Sequence, residues 1–435
     1  MPTVQFSRIP PAAQPPPPVA PPSPAGRKRR PLPWILTGLL ALLLLGGLLY
    51  AVAPLRNPPP APTAELTLPA SMTIPGKAPK LPWPRTGQAM ISIDGLGTMG
   101  TAGDTKPQPI ASVTKMMTAY VILTAHPLGV GEHGPELTVS QAAADAFHGE
   151  QARGESLVAV QAGEKITERQ ALQALLLPSA NNIARILATW DAGSIEAFVE
   201  KMNNTAKELG MTGTRYTDPS GLDPQTVSTV RDQVILAGKA MALPAFAEIS
   251  KQKQATIPVA GTVTNYNELL GKDGVVGIKT GSTDEAGGCF VFAAVYTVGG
   301  RKVTVVGAVF GAPGNNTPVQ LDNVFASTRS LLRATKASLA VHTLVKAGQQ
   351  VATVHGPLDT GTTLHAAQDV QVVGWPGLEV KLDAQLGGVP ARLAAGAEHG
   401  RLTVNLGDDA PVETALRAGA ALEPPSTWDR IRHHG

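Results

Sequence analysis

The stretch PQPIASVTKMMTAY, residues 107–120, sets a serine and a lysine three positions apart, Ser112 and Lys115, where a helical apolar pattern begins. Residues three apart on a helix share a face, with Cβ atoms about 5–6 Å apart, so the amine can reach the hydroxyl. A helix N-terminus adds positive potential there, and the N–H of Ser112 is placed to point at a developing oxyanion. To act as a base Lys115 must be partly neutral, which burial and nearby cations achieve by lowering its pKa. The same spacing also arises wherever an N-capping serine precedes a solvated lysine. Only its company gives the pair chemical meaning.

Outward from this stretch the pattern is mixed. Met116, Met117, Tyr120, Val121 and Leu123 supply the apolar face of a helix reaching about Thr124, and QAMISI (88–93) reads as a strand. Thr167-Glu168-Arg169-Gln170 has the form of a capping box, predicting a helix to about Leu176 that Pro178 breaks, with Ser179 in a turn. Residues 195–209 place Ile195, Phe198, Val199, Met202, Ala206 and Leu209 on one helical face. CFVFAAVYTV and RKVTVVGAVF, joined by Gly299-Gly300, predict a hairpin, and VQLDNVFASTRSLLRAT a closing helix. Central helices between terminal strands imply an α/β (α+β) domain over residues 86–335, its antiparallel sheet covered by helices.

Two further motifs fall in this region. Ser179-Ala180-Asn181 sits in the predicted break; a serine there can relay protons, and the amide can accept from an ammonium and donate to a carbonyl. Lys279-Thr280-Gly281 ends a short apolar run before the hairpin, hence on a strand. Lys and Thr suit a carboxylate, and a strand glycine admits a second backbone, as when an extended peptide adds to a sheet edge. Each tripeptide alone is weak.

Together, in this order and in these contexts, the three motifs resemble the active-site set of penicillin-binding proteins and serine β-lactamases. PIASVTKMMTAYVIL, LLLPSANNIAR, YTDPSGLDP, STVRD, NYNELLG and IKTGSTDEAGGCF narrow the resemblance to the D-alanyl-D-alanine carboxypeptidases of low molecular mass. This resemblance implies a β-lactamase/transpeptidase-like fold acting on peptidoglycan stem peptides that end in D-Ala-D-Ala, with β-lactams as inhibitors and no cofactor. It implies Ser112 as nucleophile, Lys115 as base, Ser179 as proton relay and Asn181 as orienting amide. Lys279, Thr280 and Gly281 would bind substrate, and the N–H of Ser282 would join that of Ser112 in the oxyanion hole. The second motif departs from the commoner Ser-Gly-Asn, and Ser282 stands at a position that varies among relatives.

A class A β-lactamase would need a deacylating glutamate. Glu200 and Asn204 mimic its spacing but fall on the polar side of the 195–209 helix. A non-catalytic penicillin-binding sensor or wall-binding module is the other alternative, although no motif member is missing.

Composition bounds the rest. The chain has 435 residues, enough for about two or three domains. Its formal charge of +3 is uneven: six basic groups (Arg8, Arg27, Lys28, Arg29, Arg30, Arg56) and no acid lie in residues 1–56, leaving 30 basic against 33 acidic. Beyond residue 56 there is no electrostatic footprint for nucleic acid. Cys289, the only cysteine, lies in an apolar run and reads as a buried hydrophobe. The nine histidines show no ligand spacing, so no metal is expected.

Trp34–Ala53 is an uncharged stretch of 20 residues, long enough as a helix to span a hydrocarbon core of about 30 Å. RKRR (27–30) precedes it, so the expected topology is single-pass with a cytoplasmic N-terminus and an extracytoplasmic catalytic domain. A cleaved signal peptide is the alternative, but the run exceeds the usual length and Pro54 would follow the cut. Residues 1–33 read as a proline-rich tail and 54–85 as a proline-rich spacer. Residues 336–425 read as a small β-rich domain, with LEVKLDA alternating cleanly, and 426–435 as a tail.

Overall fold

The computed structural model describes residues 32–433, which fall into two units, 61–424 and the segments on either side of it. The flanking unit holds the helix Leu32–Val52, a 3-10 turn Ala53–Leu55 and a short helix Thr427–Arg432. Side chains from Trp34 to Tyr50 are exposed, and the 19 residues Trp34–Val52 are long and apolar enough to cross a membrane. The residues read as a closing tail thus include a helix, capped by Ser426. The basic cluster at 27–30 and the tail before Leu32 lie outside the described residues.

In the larger unit, five antiparallel strands run in the order Val275–Thr283, Gly287–Val298, Arg301–Ala312, Gln88–Ile93, Gly97–Ala102. The predicted hairpin is its centre, turning at Gly299-Gly300. Because side chains alternate along a strand, Val291, Ala293, Val306 and Ala308 face one core while Phe290, Phe292, Val305 and Val309 face another. The closing helix, Thr317–Ser338, covers the second face, with Phe325 edge-on to Phe290 at 5.4 Å. A group of helices covers the first.

At the centre of that group lies the helix Lys115–Ala125. The sequence pattern suggests one apolar face, but Lys115 through Ala119 and Val121 through Leu123 are all buried. Five helices touch it: Glu168–Leu176, Asn181–Ala192, Ile195–Glu208, Val230–Met241 and Pro244–Ser250. A helix enclosed on all sides needs no polar stripe, and its periodicity fades accordingly. The enclosure also removes Lys115 from water.

The C-terminal β-rich region pairs Ala340–Val345 with Val370–Gly374 in a two-stranded sheet and gives five strands to a seven-stranded antiparallel one, and here the spacer reading is corrected. Thr63–Leu66 pairs with Gln350–His355 at one end of the strand order, and Ser71–Thr73 pairs with Glu379–Gln385 at the other. Six strand intervals would spread a flat sheet across about 29 Å. The five residue steps from Leu66 to Ser71 reach at most about 18 Å. The sheet must therefore curl to bring its two ends within that reach, and residues 61–74 strap the gap. Thr67 N–H donates to Val351 O at 2.9 Å, and Leu382 N–H to Ala70 O at 2.8 Å. Ile74, 1% exposed, locks the strap by exchanging backbone hydrogen bonds with Leu378 and Gly377. Prolines punctuate the segment without excluding pairing, because both strands lie at sheet edges.

Candidate active site

Ser112 lies in a 3-10 turn, Ala111–Thr114, that runs directly into the helix Lys115–Ala125. The expected helix start is thus tighter than an α-turn. Lys115 Nζ lies 2.8 Å from Ser112 Oγ, 2.7 Å from Asn181 Oδ1 and 2.9 Å from the carbonyl of Ser220. Burial pushes the Lys115 amine well below the usual lysine range; the charges of Lys279 and Arg185 push the same way, against Asp218 and Glu155. The pairing imagined from spacing alone exists, and the amine has the dry surroundings that a neutral base requires.

Asn181 arrives through local rules. The capping box at Thr167 and Gln170 forms as predicted and starts the helix Glu168–Leu176. After Pro178 the chain turns through Ser179, whose φ of 65° is left-handed, and Asn181 opens the next helix. Ala180, the departure from Ser-Gly-Asn, is fully buried and fits. Ser179 Oγ is buried without a hydrogen-bond partner among the described residues. A buried unpaired hydroxyl is costly unless something else is meant to complete it.

The Ser220 carbonyl is aimed by the loop 218–222, which belongs to the motif YTDPSGLDP. The Asp218 carboxylate accepts from the N–H groups of Ser220, Gly221 and Leu222 and from the Thr226 hydroxyl. This is an Asx-type turn, for which Asp and Gly are suited. Gly221 has a φ of 78°, and a Cβ there would stand 1.9 Å from Ala111 O. The loop can press on the Ser112 turn only as glycine.

Lys279-Thr280-Gly281 lies on Val275–Thr283, which pairs with one neighbour only and so forms the sheet's edge. A Cβ on Gly281 would meet Ile110 O, Ser112 N and Val113 N at 2.9–3.0 Å, so the glycine lets this strand lie against the Ser112 turn. Lys279 is 1% exposed and donates to Thr280 O at 2.9 Å. No carboxylate among the described residues forms an ion pair with it, and burial lowers its pKa to about 7. Ser282 Oγ turns away to Thr317 Oγ1, at 3.2 Å, and to Gln320.

Ser112, Ser179, Asn181, Thr280, Gly281 and Ser282 line one cleft of about 200 Å³. Lys115 and Lys279 stand in the wall rather than on its lining. All eight residues singled out from the sequence are therefore gathered at one place. The sequence reading gave no part to the Ser220 carbonyl, Asp218 or Glu155, nor to the rim residues Leu222, Tyr266 and Leu321. Asp218 lay inside a noticed motif, but nothing local tells that a loop carbonyl will face a lysine 105 positions away. Glu200 and Asn204 are exposed, on the helix Ile195–Glu208. They do not line the cleft.

Residues 98–314 match the family model described as D-alanyl-D-alanine carboxypeptidase. A D-alanyl-D-alanine carboxypeptidase of Mycobacterium tuberculosis is 38% identical over 172 residues, 38% of this chain and 58% of that protein. One from a Streptomyces species is 33% identical over 243 residues, 52% of this chain and 80% of that protein. The chain thus spans less than two thirds of the first relative and most of the second. Among solved structures, penicillin binding protein 5 of Haemophilus influenzae superposes with a TM-score of 0.56 at 23% identity, covering 80% of this chain and 99% of that one. That likeness is one of fold.

Proposed function

Because the chain belongs to the D-alanyl-D-alanine carboxypeptidase family, we propose that it removes the terminal D-Ala from peptidoglycan stem peptides through an acyl-enzyme on Ser112. The observation that carries this reading is the 2.8 Å contact between Ser112 Oγ and the buried Nζ of Lys115. A neutral Lys115 takes the hydroxyl proton as Oγ attacks the penultimate D-Ala carbonyl. The oxyanion forms against the N–H groups of Ser112 and Ser282. The C–N bond then breaks, and the departing D-Ala amine receives its proton through Ser179, whose hydroxyl is otherwise unpartnered. Water hydrolyses the ester and restores Ser112.

The substrate's terminal carboxylate is held by Thr280 and by the charge of Lys279. A buried ammonium without a counter-ion favours an anionic ligand, which would in turn raise its lowered pKa. The stem peptide lies along the open edge of Val275–Thr283 as an added strand. β-Lactams, which imitate D-Ala-D-Ala, acylate the same serine. The helix Trp34–Val52 anchors the protein in the cell membrane, with the catalytic unit on the extracytoplasmic side.

Incubation of the full chain with a fluorescent penicillin, beside Ser112→Ala, tests the reading. A stable adduct that needs Ser112, with D-Ala release from a pentapeptide, is the expected result. Rapid β-lactam turnover would indicate a β-lactamase instead. Absence of any adduct would refute both enzymatic readings.

A further inference from the structure

Glu155 takes no part in the scheme above, yet its side chain is only 2% exposed and its segment, 154–156, lines the cleft. Oε1 accepts from Arg153 Nε and Nη2 at 3.1 and 2.8 Å. Oε2 accepts from both terminal nitrogens of Arg185 and from Asn181 Nδ2 at 3.2 Å. An ionised carboxylate only accepts hydrogen bonds. The Asn181 amide must therefore turn its NH2 group toward Glu155, which leaves Oδ1 facing Lys115 at 2.7 Å. The backbone holds the two segments together, since Asn181 N–H donates to Ser156 O at 2.7 Å.

This orientation decides where the base's lone pair points. A neutral lysine has two N–H bonds and one lone pair. Asn181 Oδ1 and the Ser220 carbonyl are both acceptors, so each takes one N–H. The lone pair is left facing Ser112 Oγ, 2.8 Å away, and in this neutral state the hydroxyl becomes the donor. With the amide reversed, the Asn181 NH2 would donate into that lone pair and Ser112 would lose its base.

We propose that Glu155 is a positioning residue: by fixing the Asn181 amide it aims the Lys115 lone pair at Ser112. This rests on the reading of Lys115 as general base. The charges that face Lys115 are Lys279, Asp218, Arg185 and Glu155. Those that face Glu155 are Arg153 and Arg185, and Arg185 also reaches Glu150 at 3.4 Å. Glu155 is one of the two carboxylates favouring the protonated lysine, so its neutralisation shifts the acid limb of activity to lower pH.

The test is the second-order rate of Ser112 acylation by a fluorescent penicillin, measured from acid to alkaline pH on the detergent-solubilised full chain. Glu155→Gln should acylate about 10- to 100-fold more slowly at its optimum, with its acid limb displaced downward. Glu155→Asp keeps the charge on a shorter stem, so its limb should stay in place and part of the rate should return. Thermal melts by circular dichroism report whether each variant folds. If Glu155→Gln does not fold, Glu155→Asp carries the test alone, and a wild-type rate there overturns the proposal. A folded Glu155→Gln with wild-type rate and limb overturns it, as does a slow variant with an unmoved limb. A wild-type protein that forms no adduct refutes the underlying functional reading, a result distinguishable from either of these.

Discussion

The strand Val275–Thr283 closes the five-stranded sheet with one of its sides unpaired, whereas the seven-stranded sheet has Thr63–Leu66 and Ser71–Thr73 laid along its two outermost long strands. Both sheets are antiparallel and both bury apolar faces. They differ in what happens at the edge. An open edge is a template for another extended chain, which a protein suppresses unless it has a use for it. Within the same unit the motif-bearing strand stays open above the Ser112 turn, while the curled sheet draws both of its end strands from one segment, residues 61–74. The difference leaves one edge open beside the Ser112 turn and ties the two ends of the other sheet together through a short link, residues 67–70.

The comparison is broken most severely by removing the proposed nucleophile. Ser112→Ala should abolish covalent labelling by a fluorescent penicillin while leaving both sheets folded, as gel fluorescence and circular dichroism would report. Lys115→Met should retain the fold and slow acylation by about 10²- to 10⁴-fold, the usual range for losing a general base. Labelling that survives either change at the wild-type rate would remove the open edge's claim to catalysis.

Gly281→Ala tests how the edge is held. The new methyl would meet three backbone atoms of the Ser112 turn at 2.9–3.0 Å, forcing strand and turn apart. Because a displacement of about 1 Å at a reacting centre can cost about 10²-fold, a loss of that order in acylation rate is expected. An unchanged rate would mean that the strand does not set the cleft. On the strapped sheet, Ile74→Ala removes the strap's buried anchor and should cost about 2–5 kcal/mol in urea unfolding. Full stability in that variant would show the strap to be dispensable.

The smallest effect expected is on pH dependence. In the proposed scheme Lys115 must be neutral to accept a proton, so acylation should rise as pH climbs through its lowered pKa. In the same scheme Lys279 must be charged to attract a carboxylate, so acylation should fall as pH passes about 7 in the free protein. Lys279→Gln should lower the rate and flatten the alkaline limb. An alkaline limb that persists in that variant would assign it to another group.

Legibility in the sequence followed the range of the forces involved. The capping box at Thr167, the Gly299-Gly300 hairpin and the turn at Ser179 depend on neighbours within a few residues, and all formed where the sequence placed them. The central helix was harder to read. Its apolar residues surround it because five other helices do, and no single window contains that fact. Strands at 63–66 and 71–73 are not legible locally because they are short, proline-flanked and paired with residues about 290 to 310 positions away.

The sequence by itself determined the reactive inventory: a serine and lysine three apart, a second serine with an asparagine, a Lys-Thr-Gly strand, and an apolar helix ahead of them. Residue type and short spacing were enough, since those features depend on covalent proximity and side-chain chemistry. Only the tertiary structure decided that Lys115 is dry, that Glu155 meets Asn181 and the Ser220 carbonyl meets Lys115, and that residues 61–74 supply both end strands of the second sheet. Desolvation, amide orientation and strand closure arise between segments far apart in the chain, and they have no magnitude until those segments meet.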